Sequence, residues 1–144
     1  MLTFTSDRII TPAEFRDILE RSTLGGRRPM DDESVLEGMI GNSNLVVSCW
    51  DDGRLVGIAR SVTDFHFCCY LSDLAVDQSC QGQGIGRKLV DETVRRLGDS
   101  CSVVLLSAPA AVDYYPKLGF EKHPQAWVLA PKKKRVTDGD AQNG

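Results

Sequence analysis

Residues 70–97 read YLSDLAVDQSCQGQGIGRKLVDETVRRL, and this stretch decides the fold. Residues 70–76 alternate loosely and are apolar enough for a buried strand. Asp77, Gln78 and Ser79 break that pattern. Gly82, Gly84 and Gly86 then fall at every second position, stripping side chains from a short piece of backbone. From Gly84 onward Ile85, Leu89, Val90, Val94 and Leu97 recur at helical spacing, with Arg87, Lys88, Asp91, Glu92, Arg95 and Arg96 largely on other faces. The stretch is a strand, a glycine turn and a helix.

The first turn of a helix carries amide N–H groups without intrahelical partners, and the helix dipole makes that end slightly positive. A loop free of side chains lets a phosphate oxygen approach those amides. Arg87 and Lys88 add positive charge at the same end. The glycines do not follow the dinucleotide spacing G-x-G-x-x-G, and Leu89 after Lys88 excludes a P-loop. A tight strand-to-helix connection with no ligand is the alternative reading of the same glycines.

Gln81-Gly82-Gln83-Gly84-Ile85-Gly86 is a Q-x-x-G-x-G run, and residues 108–120 read APAAVDYYPKLGF. The first resembles the pyrophosphate loop of the GNAT superfamily of N-acetyltransferases. The second resembles its A-x-x-F-Y-x-K-x-G-F segment, with Ala111, Tyr114, Tyr115, Lys117, Gly119 and Phe120 in order. One helix and one strand separate the two, and the resemblance covers roughly residues 45–130. It implies an α/β (mixed α+β) GNAT fold: a central, mostly antiparallel mixed sheet of six to seven strands, about four helices, and splayed central strands. Where such families often carry a CoA-contacting Asn, this chain has Ala108, followed by Pro109.

With 144 residues the chain has the length of one domain with a real core, 1–130, followed by a polar basic tail, 131–144. A net charge of −3 argues against a general nucleic-acid binder. No apolar run is long enough for a membrane span, and the opening MLTFTSDRII lacks the features of a signal peptide. Cys49, Cys68, Cys69, Cys80 and Cys101 form no C-x-x-C pair, and neither His66 nor His123 lies near them at ligand spacing. The expectation is a cytoplasmic protein with reduced, mostly buried thiols, no metal site and no nucleic-acid or membrane partner, acting as a monomer or homodimer. The tail PKKKRVTDGDAQNG reads as a solvated terminus; a nuclear import signal is the alternative.

Elsewhere the pattern is local. Residues 2–5 form an opening strand. Thr11 caps a helix to about Ser22, with Pro12 at its first position and Glu14 completing a capping box. Asp31 or Asp32 opens a second helix through Met39 that buries Val35, Leu36 and Met39. Residues 45–50 and 54–62 pair across Asp51-Asp52-Gly53, and residues 67–76 follow the turn 63–66. Residues 102–107 form a short interior strand, residues 110–118 a helix ending at Gly119, and a final strand pair runs from Phe120 to near Leu129.

The resemblance also implies a chemistry: direct transfer of an acetyl group from acetyl-CoA to a primary amine of a small molecule. Main-chain groups of Leu74, Ala75 and Val76 would contact the thioester and pantetheine arm. Gln81, Gly82, Gln83, Gly84, Ile85, Gly86, Arg87 and Lys88 would hold the pyrophosphate. Tyr115, at the tyrosine position near the sulfur, would be the general acid; a phenol with a reference pKa of about 10 stays protonated at neutral pH. Asp73 is the first candidate base, with Asp113, His66 and Tyr70 as others. Alternation along the strand sets Asp73 on the face opposite Tyr70 and Ser72. The region between the first two helices lines the acceptor pocket in this fold, so Arg28 and Asp31 join Tyr70, Ser72 and Asp113 as substrate contacts. RRPMDDESVL, RLVGIARSVTD, YLSDLAVDQSCQGQGIG and VDYYPKLGF together resemble the small single-domain branch that includes plant and cyanobacterial-type serotonin N-acetyltransferases. That similarity implies an arylalkylamine, with a polyamine, a protein N-terminus or lysine, or a non-catalytic acetyl-CoA sensor as alternatives.

Overall fold

A two-residue turn fixes the register at the centre of the sheet. Asp52 (φ 48°) and Gly53 (φ 89°) both take left-handed backbone, as a tight hairpin with the strands' own twist requires. They join β2 (Leu45–Asp51) to β3 (Arg54–Thr63). This computed structural model describes residues 1–134; the remainder of the basic tail, 135–144, lies outside the described residues.

The chain divides into two compact units, the first being Met1–Ser107 and the second beginning at Ala108. In the first, β1 (Leu2–Thr5), β2, β3, β4 (Cys68–Val76) and β5 (Ser102–Val104) form one sheet in sequence order, antiparallel except for β4 and β5. The parallel pair needs a crossover, which is α3 (Ile85–Arg95). Helices α1 (Pro12–Arg21) and α2 (Glu33–Gly41) precede the hairpin.

Two layers sandwich the sheet. Phe15, Ile18 and Leu19 of α1 and Leu36 and Ile40 of α2 are buried in one cluster with Ile58 and Ala75 of the sheet. Each large apolar side chain in it contributes about 1.5–3 kcal/mol through burial. On the other face α3 lies over Gly57, where a Cβ would stand 3.0 Å from Leu89 Cδ1 and 3.1 Å from Ile85 Cγ2. Thr11 caps α1 reciprocally, its Oγ1 accepting from Glu14 N–H at 3.1 Å and its own N–H donating to Glu14 Oε1 at 3.0 Å. Asp32 caps α2, which puts Leu36 and Ile40, one turn apart, on the inner face. Val35 is therefore exposed and Met39 only partly buried, against expectation.

Other departures trace to proline and to sheet edges. The stretch 110–118 is wound as two 3-10 turns, Pro109–Ala111 and Tyr115–Leu118, because Pro116 removes an N–H in the middle of the expected helix. Gly119 closes the second turn at φ 92°. No strand follows β5 among the described residues, so the sheet has five strands rather than six or seven. The expected final strand pair fails around Pro124, and Trp127, Val128 and Leu129 are left exposed. β5 is consequently an edge with Val104 exposed, not an interior strand. All five cysteines are free, yet only Cys49 and Cys69 are buried.

Candidate active site

The central strand β4 is irregular where its chemistry is expected. Arg60 pairs with Asp73 but Ser61 pairs with Leu71, so Ser72 is an extra residue: a β-bulge opposite Arg60. Arg60 Nη2 donates to Ser72 Oγ at 2.8 Å while its Nε bonds Asp73 Oδ2. Regular alternation would set those two side chains on opposite faces. Here one guanidinium reaches both. Tyr70, two residues before the bulge, is exposed.

Beyond the bulge the ladder is one-sided. Asp77 N–H donates to Val56 C=O at 2.8 Å, so Ala75 and Asp73, in phase with Asp77, turn their backbone groups toward β3. Leu74 and Val76 turn theirs the other way. On that side β5 pairs with Cys68, Cys69 and Tyr70 and no further. Leu74 and Val76 thus present main-chain groups on an edge that no strand among the described residues pairs. Gln81 Nε2 takes the Val76 carbonyl at 3.4 Å.

The glycine loop follows directly. Gly82 (φ 83°) and Gly84 (φ 78°) are left-handed, and a Cβ on either would meet nothing within 4 Å. Glycine is needed here for backbone conformation, and the space beside it is open. Gly84 is the N-cap of α3, with no side-chain cap and no acidic residue in the first turn. Helix N-termini ordinarily gain from negative charge, and neither a capping side chain nor a first-turn acid supplies it here. The Lys88 ammonium stands 5.0 Å over the Phe4 ring, which aims it at β1.

Asp77, buried between strand and loop, ties this region down. Its Oδ2 accepts from Arg21 Nη1 (2.6 Å) and Arg54 Nη2 (3.2 Å), and its Oδ1 from Ser79 N–H (2.8 Å) and Oγ–H (2.7 Å). The Ser79 hydroxyl first, and then Arg21, hold its carboxyl well below the ordinary range, at about 2. Arg21 Nη2 also donates to Leu55 C=O at 2.7 Å, locking the end of α1 to β3.

Asp73 is fully enclosed, and each of its oxygens accepts from a guanidinium: Oδ1 from Arg28 Nε at 2.6 Å, Oδ2 from Arg60 Nε. Arg28 also donates through Nη2 to Ser72 C=O at 2.9 Å, and Arg60 through Nη1 to Ser43 Oγ at 2.9 Å. Arg28, Ser72 and Asp73 are therefore brought together, but with Arg28 turned to protein rather than solvent. Asp31 is exposed beside the α2 cap, and His66 is exposed in the turn after β3. Arg60 was the residue sequence reasoning missed. Arg60, set in the middle of the otherwise apolar run LVGIARSV, was the signal for a buried ionic partner.

Within the second unit the Tyr115 ring meets Tyr114 edgewise at 5.4 Å and Phe120 at 5.6 Å, and Asp113 is exposed. Among the described residues no three His, Cys, Asp or Glu gather as metal ligands, and no helix is long and apolar enough to cross a membrane.

Comparison with known proteins gives the same region a family context. Residues 27–128 match the acetyltransferase (GNAT) domain model. The chain is 32% identical over 112 residues to histone acetyltransferase TAP1 of Glycine max, covering 69% of this chain and 47% of that protein. It is 38% identical over 76 residues to the chloroplastic serotonin N-acetyltransferase 2 of Oryza sativa subsp. japonica, covering 51% and 38%. The chain thus spans about half or less of the length of these relatives. Among solved structures, a probable acetyltransferase of Staphylococcus aureus superposes with a TM-score of 0.74 at 25% identity, covering 92% of this chain and 99% of that one.

Proposed function

The chain belongs to the GNAT acetyltransferase family, and on that premise we propose that it transfers an acetyl group from acetyl-CoA to a primary amine of a small molecule. The observation that carries the reading is the junction of two features. The open β4 edge at Leu74 and Val76 ends at the uncapped, glycine-lined N-terminus of α3. The first is a row of main-chain donors suited to an acyl carbonyl and a pantetheine amide chain; the second suits a pyrophosphate. Acetyl-CoA, when bound, supplies an activated thioester.

The N–H groups at the start of α3 would hold the diphosphate, with Gly82 and Gly84 leaving room for it and Arg87 adding charge. Leu74 and Val76 would orient the thioester, their donors stabilising negative charge that develops on the carbonyl oxygen. Tyr115, at the family's tyrosine position, would protonate the departing thiolate. Both Asp73 oxygens already accept from arginines, so we assign it to holding the bulge and assign no side chain as dedicated base; the amine enters in its neutral form, and the proton it sheds as the amide forms restores the Tyr115 phenol. The five free cysteines suit a reducing compartment.

The test is free-thiol release from acetyl-CoA against arylalkylamines, polyamines and lysine-bearing peptides. Turnover with a small amine supports the proposal. Turnover confined to peptides transfers the acceptor to protein, a reading favoured by the likeness to the Glycine max histone acetyltransferase. A rise in melting temperature with acetyl-CoA but no thiol release from any amine makes the chain a sensor.

A further inference from the structure

A bulge within a strand leaves a carbonyl that the ladder does not satisfy, and such a carbonyl needs a donor from elsewhere. Ser72 C=O is in that position, and Arg28 Nη2 donates to it at 2.9 Å. Arg28 comes from outside the sheet. It lies in the loop between the 3-10 turn Leu24–Arg27 and α2, immediately before Pro29. A residue before proline is pushed to extended backbone, and Arg28 has φ −131° and ψ 157°. The loop itself is seated on α1, since a Cβ on Gly25 would stand 3.3 Å from Leu19 O. Proline and the α1 contact together aim this side chain inward, where it is only 20% exposed.

The same guanidinium bonds Asp73 Oδ1 through Nε at 2.6 Å. One fork therefore grips the bulge at two adjacent points, a carbonyl and a carboxylate, just upstream of Leu74. Arg60 grips it from within the sheet through Ser72 Oγ and Asp73 Oδ2. The two arginines hold different parts of the bulge. The Arg60 guanidinium bonds only side-chain atoms of the bulge, whereas that of Arg28 also bonds its main chain.

We propose that Arg28 is a positioning residue for acyl transfer: by fixing the Ser72 carbonyl and the Asp73 carboxylate it holds Leu74 and Val76 aimed along the open edge. This rests on the acetyltransferase reading above. It assigns the acceptor-side loop a second duty, since a shift of that loop reaches the donor edge through one side chain. Removing Arg28 leaves Asp73 and Arg60 as a matched buried pair, so the fold survives; removing Asp73 would strand two cations.

The experiment compares wild type, Arg28→Ala and Arg28→Lys for turnover, acetyl-CoA affinity, melting temperature and the amide NMR shifts of Leu74 and Val76. Arg28→Ala should lower kcat about tenfold to a hundredfold, the scale of a misplacement near 1 Å. Its acetyl-CoA affinity should stay within about threefold, because the α3 end is untouched. Arg28→Lys should recover stability but only part of kcat, since one ammonium replaces a fork. Acetyl-CoA should shift both amides in wild type and shift them less in Arg28→Ala. The proposal fails if folded Arg28→Ala keeps wild-type kcat and shifts, or if kcat, affinity and melting temperature fall together in both variants. If wild type shows neither turnover nor acetyl-CoA-induced shifts, the acetyltransferase reading falls first and takes this one with it.

Discussion

Substituting Gly84 separates a phosphate cradle from a mere turn. Its φ of 78° is left-handed, and a Cβ there would meet no atom within 4 Å. Gly84→Ala therefore carries conformational strain without a clash, about 1–2 kcal/mol. For a chain of this size that lowers the melting temperature by roughly 2–8 °C. Asn tolerates left-handed backbone better than Ala, so Gly84→Asn should be the more stable variant. Its side chain, however, projects further into the space a phosphate would occupy. The stability order is then Gly, Asn, Ala, whereas the acetyl-CoA affinity order is Gly, Ala, Asn, with Asn weaker than Ala by about tenfold, or 1.4 kcal/mol. Thermal melts give the first order and calorimetric titration of acetyl-CoA the second. If affinity simply follows stability, the glycines serve the turn alone and the cradle is refuted.

Asp77 gives a pH signature: its carboxyl is held at about 2, so its stabilising contribution is fully present above the ordinary carboxylate range and is lost as pH falls through the folded value. The difference in unfolding free energy between wild type and Asp77→Asn, about 2 kcal/mol at pH 6, should narrow below pH 5 and largely close by pH 2 in denaturant titrations; a constant difference would sink the assignment. Gly57→Ala should cost about 1–3 kcal/mol by pushing Leu89 and Ile85 off β3, and should weaken acetyl-CoA binding by moving the start of α3. A stable variant with unchanged affinity would mean that α3 is not seated by this contact. Tyr115→Phe should reduce kcat far more than acetyl-CoA affinity in steady-state and titration measurements, and equal kinetics would move the acid elsewhere.

The chain's local signals carry most of its architecture, because they are written in nearest-neighbour physics. Thr11-Pro12 with Glu14 specifies a helix start, Asp52-Gly53 a tight turn, and the glycines at 82 and 84 a left-handed entry to α3; each works through atoms a few residues apart. The backbone of the glycine loop was legible for the same reason. Alternation, also local, separated Asp73 from Ser72, because it assumes an unbroken ladder and the Ser72 bulge exists only when β3 pairs with β4. The contacts of Arg28, Arg60 and Asp73 were likewise decided by packing: residues 28, 60 and 73 lie far apart in sequence, and only the closed sheet brings their charges into one buried network. Sequence by itself determined the strand, the glycine turn and the helix dipole. Tertiary structure alone decided which edge stays open, because an open edge is defined by the short strand β5 that pairs no further than Tyr70.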